Sequence, residues 1–330
     1  MLILAKSVLG LMLGFFISVV LGYFLIPILR KLKFKQSISS FTAFRHAAKN
    51  GTPTIGGLIF IIPTILAMLF LYIRGSLEIT HSLLIIIFVF ISYASLGFVD
   101  DFLKIRYKNN DGLSISQKLL VQVLIALVFF YIYMQGGGDA NVTITSLGLS
   151  IDMGWIYGLF ILFLLVGSSN AVNLSDGLDG LAGGLSLIAF LCFGIITWGT
   201  TWIEGYQEIA IFCFILVGSL LGFLVYNTHP AKVFMGDTGS LALGATLAAI
   251  AILTKHELSL ALIGGVFVIE ALSSIIQLTA IKKFKKKVFL MAPIHHHFEK
   301  MGFEETDIVK GFWIVGLALG MLAIYYGVWM

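Results

Sequence analysis

The chain has 330 residues, 59% of them hydrophobic and only 12% charged, with a mean hydropathy of +1.01 and a formal net charge of +4. Water-soluble domains carry about 25% charged residues, and no globular core of this size needs so much apolar surface. A soluble enzyme and a nucleic-acid partner are excluded; a chain whose main solvent is lipid remains.

About 20 apolar residues are needed to cross hydrocarbon as a helix. Runs of that kind fall at 7–29, 54–73, 81–99, 119–135, 155–171, 180–198, 208–226, 240–254, 258–281 and 311–329. They predict an all-α polytopic membrane protein of about ten transmembrane helices, a single domain over residues 1–330. The first run is too long for the core of a signal peptide and counts as a helix. Lys and Arg gather in the odd-numbered connections. Six lie in the first (Arg30, Lys31, Lys33, Lys35, Arg45, Lys49) and four in the third (Lys104, Arg106, Lys108, Lys118). Lys232 is in the seventh, and seven lie in the ninth (Lys282, Lys283, Lys285, Lys286, Lys287, Lys300, Lys310). Only Lys6, Arg74 and Lys255 remain of the 21. By the positive-inside rule both termini are outside and the five odd connections are cytoplasmic. Cys192 and Cys213 fall inside predicted helices, so neither a disulfide nor a cysteine metal site is expected.

Ionisable groups close to lipid are costly, and their positions are therefore informative. Phe98-Val99-Asp100-Asp101 closes the third span; adjacent carboxylates repel unless a cation or proton intervenes, although Lys104 and Arg106 could simply solvate a helix end. Asn170-Ala171-Val172-Asn173-Leu174-Ser175-Asp176-Gly177-Leu178-Asp179-Gly180 enters the sixth span. If helical, it puts Asn173, Asp176 and Asp179 on one face. Helix capping accounts for one of these residues but not for three in a connection without Lys or Arg. Phe234-Met235-Gly236-Asp237-Thr238-Gly239-Ser240 precedes the eighth span, where Asp237 is either an N-cap or part of a phosphate-binding helix start. The ninth connection holds Pro293-Ile294-His295-His296-His297-Phe298-Glu299, three consecutive imidazoles suited to a diphosphate or a metal. Lys282 to Lys287 upstream are accounted for by anchoring to anionic lipid.

These groups all fall on one side of the predicted membrane, whereas a transporter places ionisable groups at mid-membrane. Acids for a hard metal, bases for phosphate and a site at the lipid boundary suit phosphoryl transfer between a cytosolic substrate and a lipid.

The stretches FVDD, NAVNLSDGLDGLAGG, VFMGDTGS and APIHHHFE resemble the signatures of the polyprenyl-phosphate N-acetylhexosamine-1-phosphate transferases. The HHHFE form is similar to the branch that takes UDP-MurNAc-pentapeptide. The resemblance runs from Lys49-Asn50-Gly51-Thr52-Pro53 to the last span. It implies transfer of phospho-MurNAc-pentapeptide to undecaprenyl phosphate, giving lipid I and UMP with Mg²⁺, in a bacterial cell membrane and as a homodimer. It implies Asp100, Asp101 and Asp237 as catalytic acids, with Lys118 and His296 on phosphates or the lipid head. Asp237 and Asp176 would hold the metal. Asp179, Asn227 and Phe234 would take the uridine, and Lys49, Thr54 and Gln277 the nucleotide side. Asn173, Gly236, Ser240, His295 and His297 would complete the substrate site. The rival readings are a sister transferase using UDP-GlcNAc and, in another class, a lipid carrier or flippase. Asp100 as a general base and a covalent aspartyl-phosphate are both open.

Overall fold

The computed structural model describes residues 3–32, 51–107, 112–144, 149–199 and 205–329. Among them the helices are α1 (Ile3–Lys31), α2 (Leu58–Ile73), α3 (His81–Tyr107), α4 (Ile115–Gln135), α5 (Ile156–Ser175) and α6 (Leu181–Gly199). They continue as α7 (Tyr206–Asn227), α8 (Gly236–Leu253), α9 (Glu257–Ile263), α10 (Gly265–Phe284), α11 (Ile294–Met301) and α12 (Glu305–Trp329). Nine of these described helices are long and apolar enough to cross a membrane. All ten predicted spans have a helical counterpart, with α9 and α10 together forming the ninth. The protein is an all-α polytopic membrane protein.

Three departures from the sequence expectation bear on the site. The second span starts at Leu58, because Pro53–Gly57 runs beside the start of α8 instead: Phe234 N–H donates to Pro53 O (2.8 Å), and Gly56 N–H donates to Phe234 O (2.8 Å). Non-helical backbone is tolerated at such depth only where protein satisfies it. The third span continues to Tyr107, so Asp100 and Asp101 lie two turns inside a helix rather than at its C-terminus. The histidine stretch of the ninth connection is itself helical, as α11. A hairpin unforeseen in the sequence, β1 (Asn141–Ile144) against antiparallel β2 (Leu149–Asp152), lies between α4 and α5.

α8 is the axis of the bundle. Every residue from Thr238 to Ile252 is buried, and most are Ala, Gly, Ser, Thr or Leu. α3 and α5 pack directly on it, α7 is covered by α1 and α6, and α12 lies on α6. Small side chains permit this close approach, the usual basis of helix association in lipid. At Gly97 of α3 the approach to α8 is so close that a Cβ would overlap the carbonyl oxygen of Asp237. The outward faces of α1, α3 and α4 carry exposed Leu, Ile, Val and Phe, as contact with lipid requires.

At the far end of α8, Lys255 ties the hairpin down. Its ammonium donates to the carbonyls of Asp139 (2.9 Å) and Asn141 (3.2 Å), pairs with the Asp139 carboxylate, and lies 4.8 Å from the Tyr157 ring centroid. This cluster is at the opposite end of the bundle from the conspicuous acids.

Candidate active site

The acids converge where α3, α4 and α5 meet the N-terminus of α8. Carboxylate oxygens of Asp100, Asp101 and Asp237 all lie within 4.8 Å of one another. Three buried or half-buried carboxylates at that spacing require cations, and two lysines supply them. Lys104, one turn along α3 from Asp100, sits 2.6 Å from Asp100 Oδ2 and 3.1 Å from Asp237 Oδ2. Lys118 sits 3.3 Å and 2.6 Å from the same two oxygens. Its position follows from local sequence. Ser114 and Gln117 form a reciprocal capping box that starts α4, which puts Lys118 on the first turn. Leu113 N–H donates to Asp100 Oδ1 (2.8 Å), fixing the connection from α3.

Asp101 has a different role. Its Oδ2 accepts from Thr238 N–H (2.9 Å) and from the Thr238 hydroxyl (2.6 Å), and Oδ1 accepts from Asp237 N–H (3.2 Å). It thus caps α8 from another helix, where a negative charge meets the positive end of the helix dipole. Asp237 is therefore not the N-cap that its position suggested. Freed from capping, its Oδ1 accepts from Asn173 Nδ2 (2.8 Å), which also donates to Ser240 Oγ (2.9 Å). Gly236 takes φ +74° at this turn, with Asp101 and Thr54 against its Cα.

Asp176 adjoins the cluster. Burial, then the carboxylates of Asp237 and Asp101, raise its pKa well above the ordinary aspartate range, against the Gly236 N–H that lowers it. Such a carboxyl gains from a proton or a metal. Asn173, Asp176 and Asp179 do not share one helical face, as the spacing had predicted, because α5 ends at Ser175 and Asp176 is its C-cap. Asp179 turns away: its Oδ2 accepts from Ala231 N–H (3.0 Å) and meets His229 Nδ1 (3.1 Å), while its own N–H donates to Glu305 (2.7 Å). Asn227 holds the same turn, accepting from Gly180 N–H (3.1 Å) and donating to Val233 O (2.9 Å), one residue before Phe234.

The three histidines diverge. His295 is fully buried, with Nδ1 3.0 Å from Glu270 Oε2 of α10 and Nε2 against Gly177. His296 Nδ1 lies 2.6 Å from Glu299 Oε2, and His297 Nδ1 accepts from Leu290 N–H (3.1 Å). Gln277 braces the chain entering this helix: its Oε1 accepts from Val288 and Phe289 N–H (3.0 Å each) and its Nε2 donates to Phe289 O (3.0 Å). Lys49 lies outside the described residues.

The structure thus gathers Asp100, Asp101, Asp237, Lys118, Asn173, Ser240, Asp176, Gly236 and Thr54 at one place. Asp179, Asn227 and Phe234 form an adjoining turn, and Gln277 and His297 a bracing loop. Sequence reasoning missed Lys104 as a bridge, Thr238 as the capped residue, and His229, Glu305 and Glu270 as partners. Lys104 was visible as the i+4 neighbour of Asp100, and Glu270 as a lone acid inside an apolar run.

The sequence model of glycosyl transferase family 4 matches residues 82–255. A phospho-N-acetylmuramoyl-pentapeptide-transferase of Geobacillus thermodenitrificans is 47% identical over 98% of this chain and 98% of its own length. Enzymes of the same name from Bacillus licheniformis and Bacillus subtilis are each 48% identical over 97% of both chains.

Proposed function

The chain belongs to the phospho-N-acetylmuramoyl-pentapeptide-transferases of glycosyl transferase family 4, and on that premise we propose how its residues perform the transfer. The reaction moves phospho-MurNAc-pentapeptide from UDP-MurNAc-pentapeptide to undecaprenyl phosphate, giving lipid I and UMP. The observation that carries the residue assignment is Asp237, held at a helix start between two lysines, Asn173 and two further aspartates.

An oxygen of the lipid phosphate attacks the sugar-linked phosphorus, and the bond from that phosphorus to the UMP oxygen breaks. The lipid phosphate is largely ionised at neutral pH, its second pKa being about 6. Alignment and charge neutralisation then carry most of the acceleration. Lys104 and Lys118 meet phosphate oxygens, and the α8 N-terminus adds its positive end. Asp179, Asn227 and Phe234 border the uridine, and His296 the phosphates. Phe98, Val99 and Phe102 are exposed on the outer face of α3, so the bilayer borders the helix whose buried face carries Asp100 and Asp101.

The donor set is all oxygen, and the raised pKa of Asp176 beside Asp237 fits a hard divalent cation such as Mg²⁺. Asp237 and Asp176 would hold it, as the family resemblance implies. When bound, the ion supplies charge neutralisation for the diphosphate.

The charge bias of the connections supports a cytoplasmic site with both termini outside, in the bacterial cell membrane. Resemblance alone supports one domain and a homodimer.

The test is Mg²⁺-dependent UMP release from UDP-MurNAc-pentapeptide and undecaprenyl phosphate in detergent. Wild type should turn over, Asp237→Asn should lose about 10³-fold, and UDP-GlcNAc should give no UMP. Turnover of UDP-GlcNAc instead would identify the sister activity, and an unimpaired Asp237→Asn would sink the assignment.

A further inference from the structure

Glu270 is a carboxylate on the membrane-spanning helix α10, and among the described residues its charged partner is a histidine, with no lysine or arginine paired to it. Both Glu270 and His295 are fully buried, and their only described polar contact with each other is Nδ1 to Oε2 at 3.0 Å. A buried carboxylate without a partner costs several kcal/mol, so the pair is a single unit. A carboxylate can only accept, which makes Nδ1 the protonated nitrogen and turns Nε2 the other way. Nε2 then faces Gly177: a Cβ on that residue would overlap it. Gly177 follows Asp176 and precedes the turn of Asp179. Among the described residues Nε2 makes no hydrogen bond, nor does Glu270 Oε1.

We propose that Glu270 is a positioning residue for the transfer: through His295 it seats α11 against the Asp176–Gly177 turn and so places that turn relative to Asp237. The proposal rests on the functional reading above. It assigns His295 an inward duty distinct from that of His296 and explains the absence of a side chain at Gly177. Gly177 has no positive φ, so the close approach to His295, and not backbone conformation, is what excludes a larger residue there.

A double-mutant cycle tests it. Glu270→Leu should lower kcat at least tenfold, with partial recovery in Glu270→Gln, which keeps an acceptor oxygen. Gly177→Ala should displace the imidazole from the other side and give a comparable loss. If both act through His295, the double variant should be no worse than the poorer single one. Losses that multiply, or Glu270→Leu with wild-type turnover, would overturn the proposal. Should Glu270→Leu fail to fold, Glu270→Gln with Gly177→Ala completes the cycle. A ¹⁵N-histidine spectrum, assigned by His295→Asn, provides a readout that does not need turnover. It should show Nδ1–H at His295 in wild type and its loss in Glu270→Leu. A wild type that releases no UMP would refute the functional reading while leaving that spectrum to decide the seat; His295 protonated at Nε2 alone would end it.

Discussion

Asp101 and Thr238 are joined twice through one oxygen: Oδ2 of the aspartate accepts both the N–H (2.9 Å) and the hydroxyl (2.6 Å) of the threonine. A helix cap usually comes from the residue just before the helix. Here it comes from α3, so the direction in which Asp237 leaves α8 depends on how two helices cross. Local sequence around Asp237 does not set it.

Asp101→Asn removes the charge and presents an amide to donors that it can satisfy only in part. Loss of an N-cap costs about 1–2 kcal/mol. Thermal melting in detergent should fall accordingly, and UMP release should fall by more than that loss of folded protein accounts for. Melting unchanged from wild type would show that the cap is dispensable.

Lys118→Met keeps the aliphatic stem and removes the ammonium that lies between Asp100 and Asp237. Two carboxylates are then left facing each other with Lys104 alone. Turnover should fall about 10²-fold, while chain folding, followed by gel filtration, stays intact. A change confined to KM for the UDP-sugar would move Lys118 from the reacting phosphates to binding only.

The raised pKa of Asp176 has a sign that can be checked. Folding disfavours its ionised form, so its stabilising contribution is present below the ordinary aspartate pKa of about 4 and is lost as pH rises towards the folded value. In EDTA, Asp176→Asn should therefore melt above wild type at pH 8, with the gap shrinking towards pH 5. Added Mg²⁺ should close it at pH 8 by stabilising wild type alone. Wild type melting above the variant at pH 8 in EDTA would refute the direction.

Lys255→Met provides the contrast. It frees the hairpin at the end of α8 away from the acids, removing contacts to Asp139, Asn141 and the Tyr157 ring. Melting should drop by a few degrees, and kcat should stay within about twofold of wild type because no group of the site is touched.

The spans were legible because lipid imposes a length and a composition that survive in the sequence, as in the runs that became α3 and α7. The acids were legible for the same reason: Asp100 and Asp237 stand out against apolar neighbours. What the sequence could not reveal was division of labour. Nothing in Gly-Asp-Thr-Gly distinguishes a capping Asp237 from one freed by Asp101, because the deciding partner is 136 residues away. The helix over the histidines was hidden for another reason: α11 is too polar and too short for an apolar pattern to mark it. The early start expected for α2 erred because Thr54 and Ile55 are apolar enough to extend a run, yet the residues that flank them, Pro53, Gly56 and Gly57, pair with backbone beside α8.

Gly97 carries no functional group, yet it fixes the separation of α3 from α8 by letting its own backbone rest on the carbonyl of Asp237. One added methyl would wedge the two helices apart, lengthening the Asp101–Thr238 bonds and carrying Asp237 away from Lys104 together. Inactivation of this enzyme can therefore arise at a residue with no chemistry of its own, and a survey confined to acids, bases and histidines would pass over the position on which their spacing depends.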